Sequence, residues 1–158
     1  MKICSAEKKH IPGMIDLLLQ VGQVHHLGRP DLFRAGAQKY NETELEEILK
    51  DPERPVFVAE ENGKVLGYGF CILKRTRDHS VLCDHVSLYV DDLCVDENCR
   101  GRGVGKKIYA HIKAYAAGIG CDSITLNVWA FNERALGFYR SLGMQERNIY
   151  MEMKLEED

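Results

Sequence analysis

The 158-residue sequence has little excess charge of either sign: 21 Lys and Arg stand against 24 Asp and Glu, a net charge of -3. That near-balance removes the electrostatic case for nucleic acid or an anionic membrane as a partner, so any anion site must be local. The sequence also lacks an apolar run long enough to cross a bilayer. Its opening, Met1-Lys2-Ile3-Cys4-Ser5, lacks the apolar stretch of a signal peptide, so cytoplasmic residence is the expectation. No Cys-x-x-Cys pair occurs. The six cysteines, Cys4, Cys71, Cys83, Cys94, Cys99 and Cys121, are scattered, several in apolar stretches, and read as free thiols rather than disulfides or zinc ligands. His79, Cys83 and His85 lie close in sequence, but their spacing matches no ligand pattern, and no metal is assigned. No repeat or linker interrupts the chain.

What is present is an ordinary globular composition, 45% apolar and 28% charged, sized for one domain over residues 1–158. Lys2 to Ser5 reads as a short strand. Ile11, Met14, Ile15, Leu18 and Leu19 recur at helical spacing and predict a helix to about Val24, and Thr43 to Leu49 predicts a second, closed by Asp51-Pro52. Val56 to Ala59 and Val65 to Leu73 flank Asn62-Gly63, the strongest short-range hairpin signal.

Val86, Leu88 and Val90 then alternate on one face, whereas Leu93 and Val95 have the opposite parity. A strand changes parity only through an inserted residue, which predicts a β-bulge near Asp91-Asp92 and a splayed strand. Val104, Ile108, Ile112, Tyr115 and Ile119 form a helical stripe, and Ile124, Leu126 and Val128 alternate as a strand. Asn132 is placed to cap a helix carrying Ala135, Leu136, Phe138, Tyr139 and Leu142, closed by Gly143, and Ile149, Met151 and Met153 suggest a final strand. The alternation of strand and helix predicts a mixed α/β sheet covered by helices.

Arg100-Gly101-Arg102-Gly103-Val104-Gly105 falls between the bulged strand and the long helix, where unpaired backbone N–H groups and the helix dipole favour an anion. Arg100, Arg102, Lys106 and Lys107 concentrate positive charge there; a Gly-rich turn with solvated basic residues is the plain alternative. A Walker loop fails on spacing, because three residues rather than four separate Gly101 from Gly105 and Lys107 stands where a hydroxyl belongs. A dinucleotide fingerprint fails because Lys106 occupies its third glycine position.

Arg100, Gly103 and Gly105 match the Arg/Gln-x-x-Gly-x-Gly/Ala signature of the GNAT superfamily of N-acetyltransferases. Asn132 to Met144 resembles that superfamily's Asn-x-x-Ala-x-x-Phe-Tyr-x-x-x-Gly-Phe motif, with Met144 in place of the last Phe. The chain from residue 2 to about 155 can be laid along that fold. The resemblance implies a mixed, mostly antiparallel sheet of six to seven strands with a splayed, bulged central strand and about four flanking helices. It implies acetyl-CoA as acetyl donor, its pantetheine pairing with the backbone of Leu93, Cys94 and Val95. Its pyrophosphate would rest on the Arg102-to-Gly105 amides, with the basic side chains, Arg100 and Lys106 among them, nearer the adenosine phosphate.

By the same resemblance Tyr139 donates a proton to the departing thiolate, Asn132 contacts the cofactor, and a homodimer is a family tendency. The sequence alone also allows Tyr139 to be a core aromatic, Asn132 a helix cap, and Leu93 and Val95 core residues. Asp91 and Asp92 are the nearest candidates for the base that deprotonates the amine; a solvated carboxylate pair, or a base acting through water, fits equally. His25, Arg29, Asp31 and Phe33, between the first two helices, could line an acceptor cleft. The acceptor expected first is a small-molecule amine. A protein α-amine or lysine, or a non-catalytic acyl-CoA-binding module, is the alternative.

Overall fold

The turn at Asn62-Gly63 organises the sheet, both residues having positive φ (51° and 76°), the mirror-image geometry that suits the right-handed twist of a hairpin. The computed structural model describes residues 1–156, and the chain divides after Asn127 into two units. In the first, β1 (Lys2–Ser5), β2 (Val56–Glu61), β3 (Lys64–Thr76), β4 (His85–Val95) and β5 (Ser123–Leu126) form one sheet in sequence order. All neighbours are antiparallel except β4 and β5, which are parallel. Helix α1 (Ile11–Gly28) and helix α2 (Glu42–Lys50) supply Met14, Leu17, Leu18, Leu45 and Ile48 to a core on one side. Helix α3 (Val104–Gly118) supplies Val104, Ile108 and Ile112 to a separate core on the other.

Helix α3 lies directly on β3 because Gly67 and Gly69 leave no side chain between them. A Cβ on Gly69 would stand 2.7 Å from Ile112 Cδ1, and one on Gly67 would stand 2.9 Å from Ile108 Cδ1. That close approach sets the start of α3 beside the end of β4.

The bulge lies where the parity change places it. Phe70 pairs with Asp92 and Cys71 with Val90, leaving Asp91 as the inserted residue. Leu88, Val90, Leu93 and Val95 therefore all join the α3 core, and Cys94 joins the opposite one.

In the second unit Asn132 caps α4 (Glu133–Ser141), its Oδ1 accepting from Ala135 N at 3.1 Å. Gly143, at φ 91°, closes the helix. The expected last strand is not found: residues 145–156 are not strand, so the described residues hold five strands rather than six to seven. Alternation of Ile149, Met151 and Met153 makes a segment competent for a ladder, but a strand exists only where a neighbouring backbone supplies hydrogen bonds.

Candidate active site

The parallel ladder between β4 and β5 runs from Ser87↔Ser123 to Val90↔Leu126 and ends there, whereas β4 continues to Val95 through its pairing with β3. From the bulge onward, β4 thus has one edge paired with β3 and no β5 partner on the other. Five residues, Asp91 to Val95, make up this stretch. Directly after it, Asp96 accepts from Asn98 N at 3.0 Å and caps a single turn over Glu97–Cys99 that redirects the chain into Arg100. The following loop turns through Gly101 (φ 80°) and Gly103 (φ 74°), a left-handed conformation that costs any other residue. A Cβ at either glycine would meet nothing within 4 Å, so backbone conformation and not crowding calls for glycine. Gly103 begins α3 without a side chain to cap it, which leaves first-turn N–H groups directed out of the helix end.

The basic residues of this loop divide. Arg100 on the loop and Lys106 and Lys107 in the first turn of α3 are exposed, and Val104, the first residue of α3, is buried. Arg102, grouped with the basic side chains near the adenosine phosphate, is engaged elsewhere, its Nη2 lying 2.8 Å from Glu61 Oε2. That pair joins the loop to the end of β2, a contact 41 residues away in sequence that no local pattern reveals.

At the bulge the two adjacent carboxylates have different surroundings. Asp92 accepts a hydrogen bond from the Tyr68 hydroxyl at 2.8 Å, and burial pushes its carboxyl up to about 6, against the lowering effect of that bond. Burial, reinforced by Asp92, holds the Tyr68 phenol well above its usual range, so it remains a donor. Asp91 accepts from the Tyr40 hydroxyl at 2.6 Å on Oδ2, and Lys39 Nζ lies 3.0 Å from its Oδ1. Burial first, then the bond to Asp91, raises the Tyr40 phenol as well. Cys94, beside this pair, is driven up to about 12 by burial and remains a neutral thiol at physiological pH.

Sequence reasoning named Asp91, Asp92 and Cys94 but not Tyr40, Lys39 or Tyr68. Tyr68 was accessible from strand parity, since it alternates with Phe70, which it meets edge-on with ring centroids 4.7 Å apart. Lys39 and Tyr40 lie in a stretch without periodicity and gave no signal.

In the α1–α2 connection His25 meets Phe33 with ring centroids 4.9 Å apart, and Arg29 pairs with Asp31 at 2.8 Å. Tyr139 lies on α4 in the second unit, where Phe138 and Tyr139 pack edge to face at 5.1 Å. All six cysteines are free thiols. His79 Nδ1 accepts from the amides of Val81 and Leu82, each at 3.0 Å, a turn-forming role.

The chain belongs to the acetyltransferase (GNAT) family, whose model matches residues 22–144. The peptidyl-lysine N-acetyltransferase YjaB of Salmonella typhimurium is 34% identical over 106 residues, 65% of this chain and 59% of that protein. A glucosamine 6-phosphate N-acetyltransferase of Oryza sativa subsp. japonica is 31% identical over 98 residues, 61% of this chain and 56% of that one. A thialysine N-epsilon-acetyltransferase of Bos taurus is 35% identical over 60 residues, 38% of this chain and 35% of that one. The chain thus spans less than two thirds of the length of these curated relatives. Among solved structures, a mutant of the BH1408 protein from Bacillus halodurans superposes with a TM-score of 0.94 at 32% identity, covering 99% of this chain and 100% of that one. An aminoglycoside N-acetyltransferase in complex with CoA shares the fold at a TM-score of 0.71 and 17% identity, over 98% of this chain and 99% of that one. No described helix is long and apolar enough to cross a membrane.

Proposed function

We propose that this protein transfers an acetyl group from acetyl-CoA to the amine of a small molecule, by direct attack while donor and acceptor are bound together. The observation that carries this is the end of the β4–β5 ladder at Val90↔Leu126, while β4 runs on to Val95 paired with β3 and without β5 on its other edge. An extended edge of this kind suits the amide-bearing pantetheine arm. The glycine loop at the start of α3 suits the pyrophosphate, with the Arg102-to-Gly105 amides as donors and Arg100 and Lys106 as nearby charge. Family membership supports the donor; the relatives act on thialysine, glucosamine 6-phosphate and peptidyl-lysine, so the acceptor rests on the site.

An alkylammonium with a pKa of about 10 must lose a proton before it attacks a thioester. Asp92, with a carboxyl at about 6, is ionised at neutral pH and is a better proton acceptor than an ordinary aspartate. Asp91 fixes positive charge beside it, as it fixes Lys39. Cys94 is too weakly acidic to form an acyl-enzyme, which favours attack in a ternary complex over a covalent relay. Tyr139 takes the part of proton donor to the thiolate through its motif, and Asn132 that of a cofactor contact as well as a cap.

The test is thiol release from acetyl-CoA in the presence of spermidine, free amino acids, aminoglycosides and short lysine peptides, with Asp92→Asn alongside. Turnover of a free amine that collapses in the variant is the expected result. Turnover of peptides alone would move the reading to a protein acetyltransferase. Thermal stabilisation by acetyl-CoA without release from any amine would favour a regulatory acyl-CoA-binding module.

A further inference from the structure

The α1–α2 connection brings a primary amine of the protein itself to the bulge. Lys39 Nζ lies 3.0 Å from Asp91 Oδ1 and 3.3 Å from the Asp91 carbonyl oxygen, at the residue where β4 parts from β5. The connection is held there by packing that leaves it little freedom. A Cβ on Gly22 would stand 2.2 Å from Ala37 O, so α1 and residue 37 are in direct backbone contact. Next along, Gln38 Nε2 donates to Tyr40 O at 3.0 Å. The Tyr40 ring packs on Phe70 with centroids 5.5 Å apart and carries the Arg54 guanidinium 5.7 Å over its face, while its hydroxyl holds Asp91 Oδ2. Lys39 therefore projects from an anchored backbone with its ammonium on a carboxylate. That is the arrangement an amine acceptor needs beside a thioester, and positioning of this kind is worth a high effective concentration.

We propose that Lys39 is an acetyl acceptor of its own chain. The inference rests on the reading above that acetyl-CoA is bound along β4 beyond the bulge, at Leu93, Cys94 and Val95. The Lys39 ammonium gives a proton to a carboxylate of the Asp91-Asp92 pair, and Nζ attacks the thioester carbonyl. The C–N bond forms as the C–S bond breaks, and the thiolate leaves to take up a proton. The product amide carries no charge and no longer pairs with Asp91, so Asp91 is then open to the ammonium of a second, external amine.

The experiment incubates the full chain with acetyl-CoA and no added amine, over about a tenfold range of protein dilution, and maps acetyl groups by peptide mass spectrometry. Lys39 should be acetylated well ahead of Lys50 and Lys8, although they are more exposed (side chains 43%, 69% and 78%), at a first-order rate independent of dilution. Asp91→Asn, checked for folding by its melting transition, should lower Lys39 labelling to that of Lys50. Labelling spread evenly over exposed lysines, or a rate falling in proportion to dilution, overturns the proposal. If free amines release thiol while Lys39 stays unmodified, self-acetylation alone falls; if neither reaction occurs, the acetyl-transfer reading falls with it.

Discussion

Tyr68 and Asp92 meet diagonally across the β3–β4 pair, the phenol donating to the carboxylate at 2.8 Å although 24 residues separate them. The bulge at Asp91 creates this pairing: without the inserted residue, the parity of β4 would send the Asp92 side chain to the α3 face, away from Tyr68.

The carboxyl of Asp92 near 6 sets the acid side of the pH profile. If ionised Asp92 accepts the amine proton, kcat/KM should fall as pH drops below about 6, roughly tenfold per unit, and Asp92→Asn should abolish that limb along with most of the activity. The sign for stability is opposite to the usual carboxylate case. A folded-state value above that of the unfolded chain means the fold favours the protonated form, so ionisation costs stability as pH rises from about 4 to about 6. Denaturation at neutral pH should find Asp92→Asn no less stable than wild type and more stable by up to about 3 kcal/mol, whereas a clear loss of stability would mean that the carboxylate is not strained in the fold.

Tyr68→Phe removes the donor that lowers the Asp92 value, so the acid limb should move to higher pH. The buried carboxylate would lose its partner, at a cost of about 1–3 kcal/mol at neutral pH. A pH–rate profile and urea melts on one preparation check both, and an unmoved limb would separate Asp92 from the rate-determining proton transfer.

Gly103→Ala forces a left-handed residue at the start of α3, where φ is 74°. Stability should fall by about 1–2 kcal/mol, with no steric clash to add to it. The rise in melting temperature on adding acetyl-CoA should shrink well beyond that cost, because the loop amides would no longer point together. A variant that keeps the full ligand-induced rise would place the donor phosphates elsewhere.

Tyr139→Phe retains the aromatic ring and removes the proton. A fall in kcat of roughly 100-fold with little change in KM for acetyl-CoA is expected for a general acid. Unchanged turnover would return Tyr139 to an ordinary packing role on α4.

What the sequence determined by itself is local. Asn62-Gly63 fixes its hairpin because both residues tolerate positive φ, the parity change between Val90 and Leu93 requires a bulge, and Asn132 sits where a helix start needs an acceptor. Each follows from backbone stereochemistry or side-chain period within a few residues. Tertiary structure alone decided the partners of those features. It tied Tyr40 to Asp91 across 51 residues, Tyr68 to Asp92 across 24 and Arg102 to Glu61 across 41. It also ended the β4–β5 ladder at Val90 and formed no strand from the alternating residues after Gly143. Such contacts depend on which elements the chain brings side by side, and a hydrogen bond between distant residues leaves no period in the sequence that encodes it.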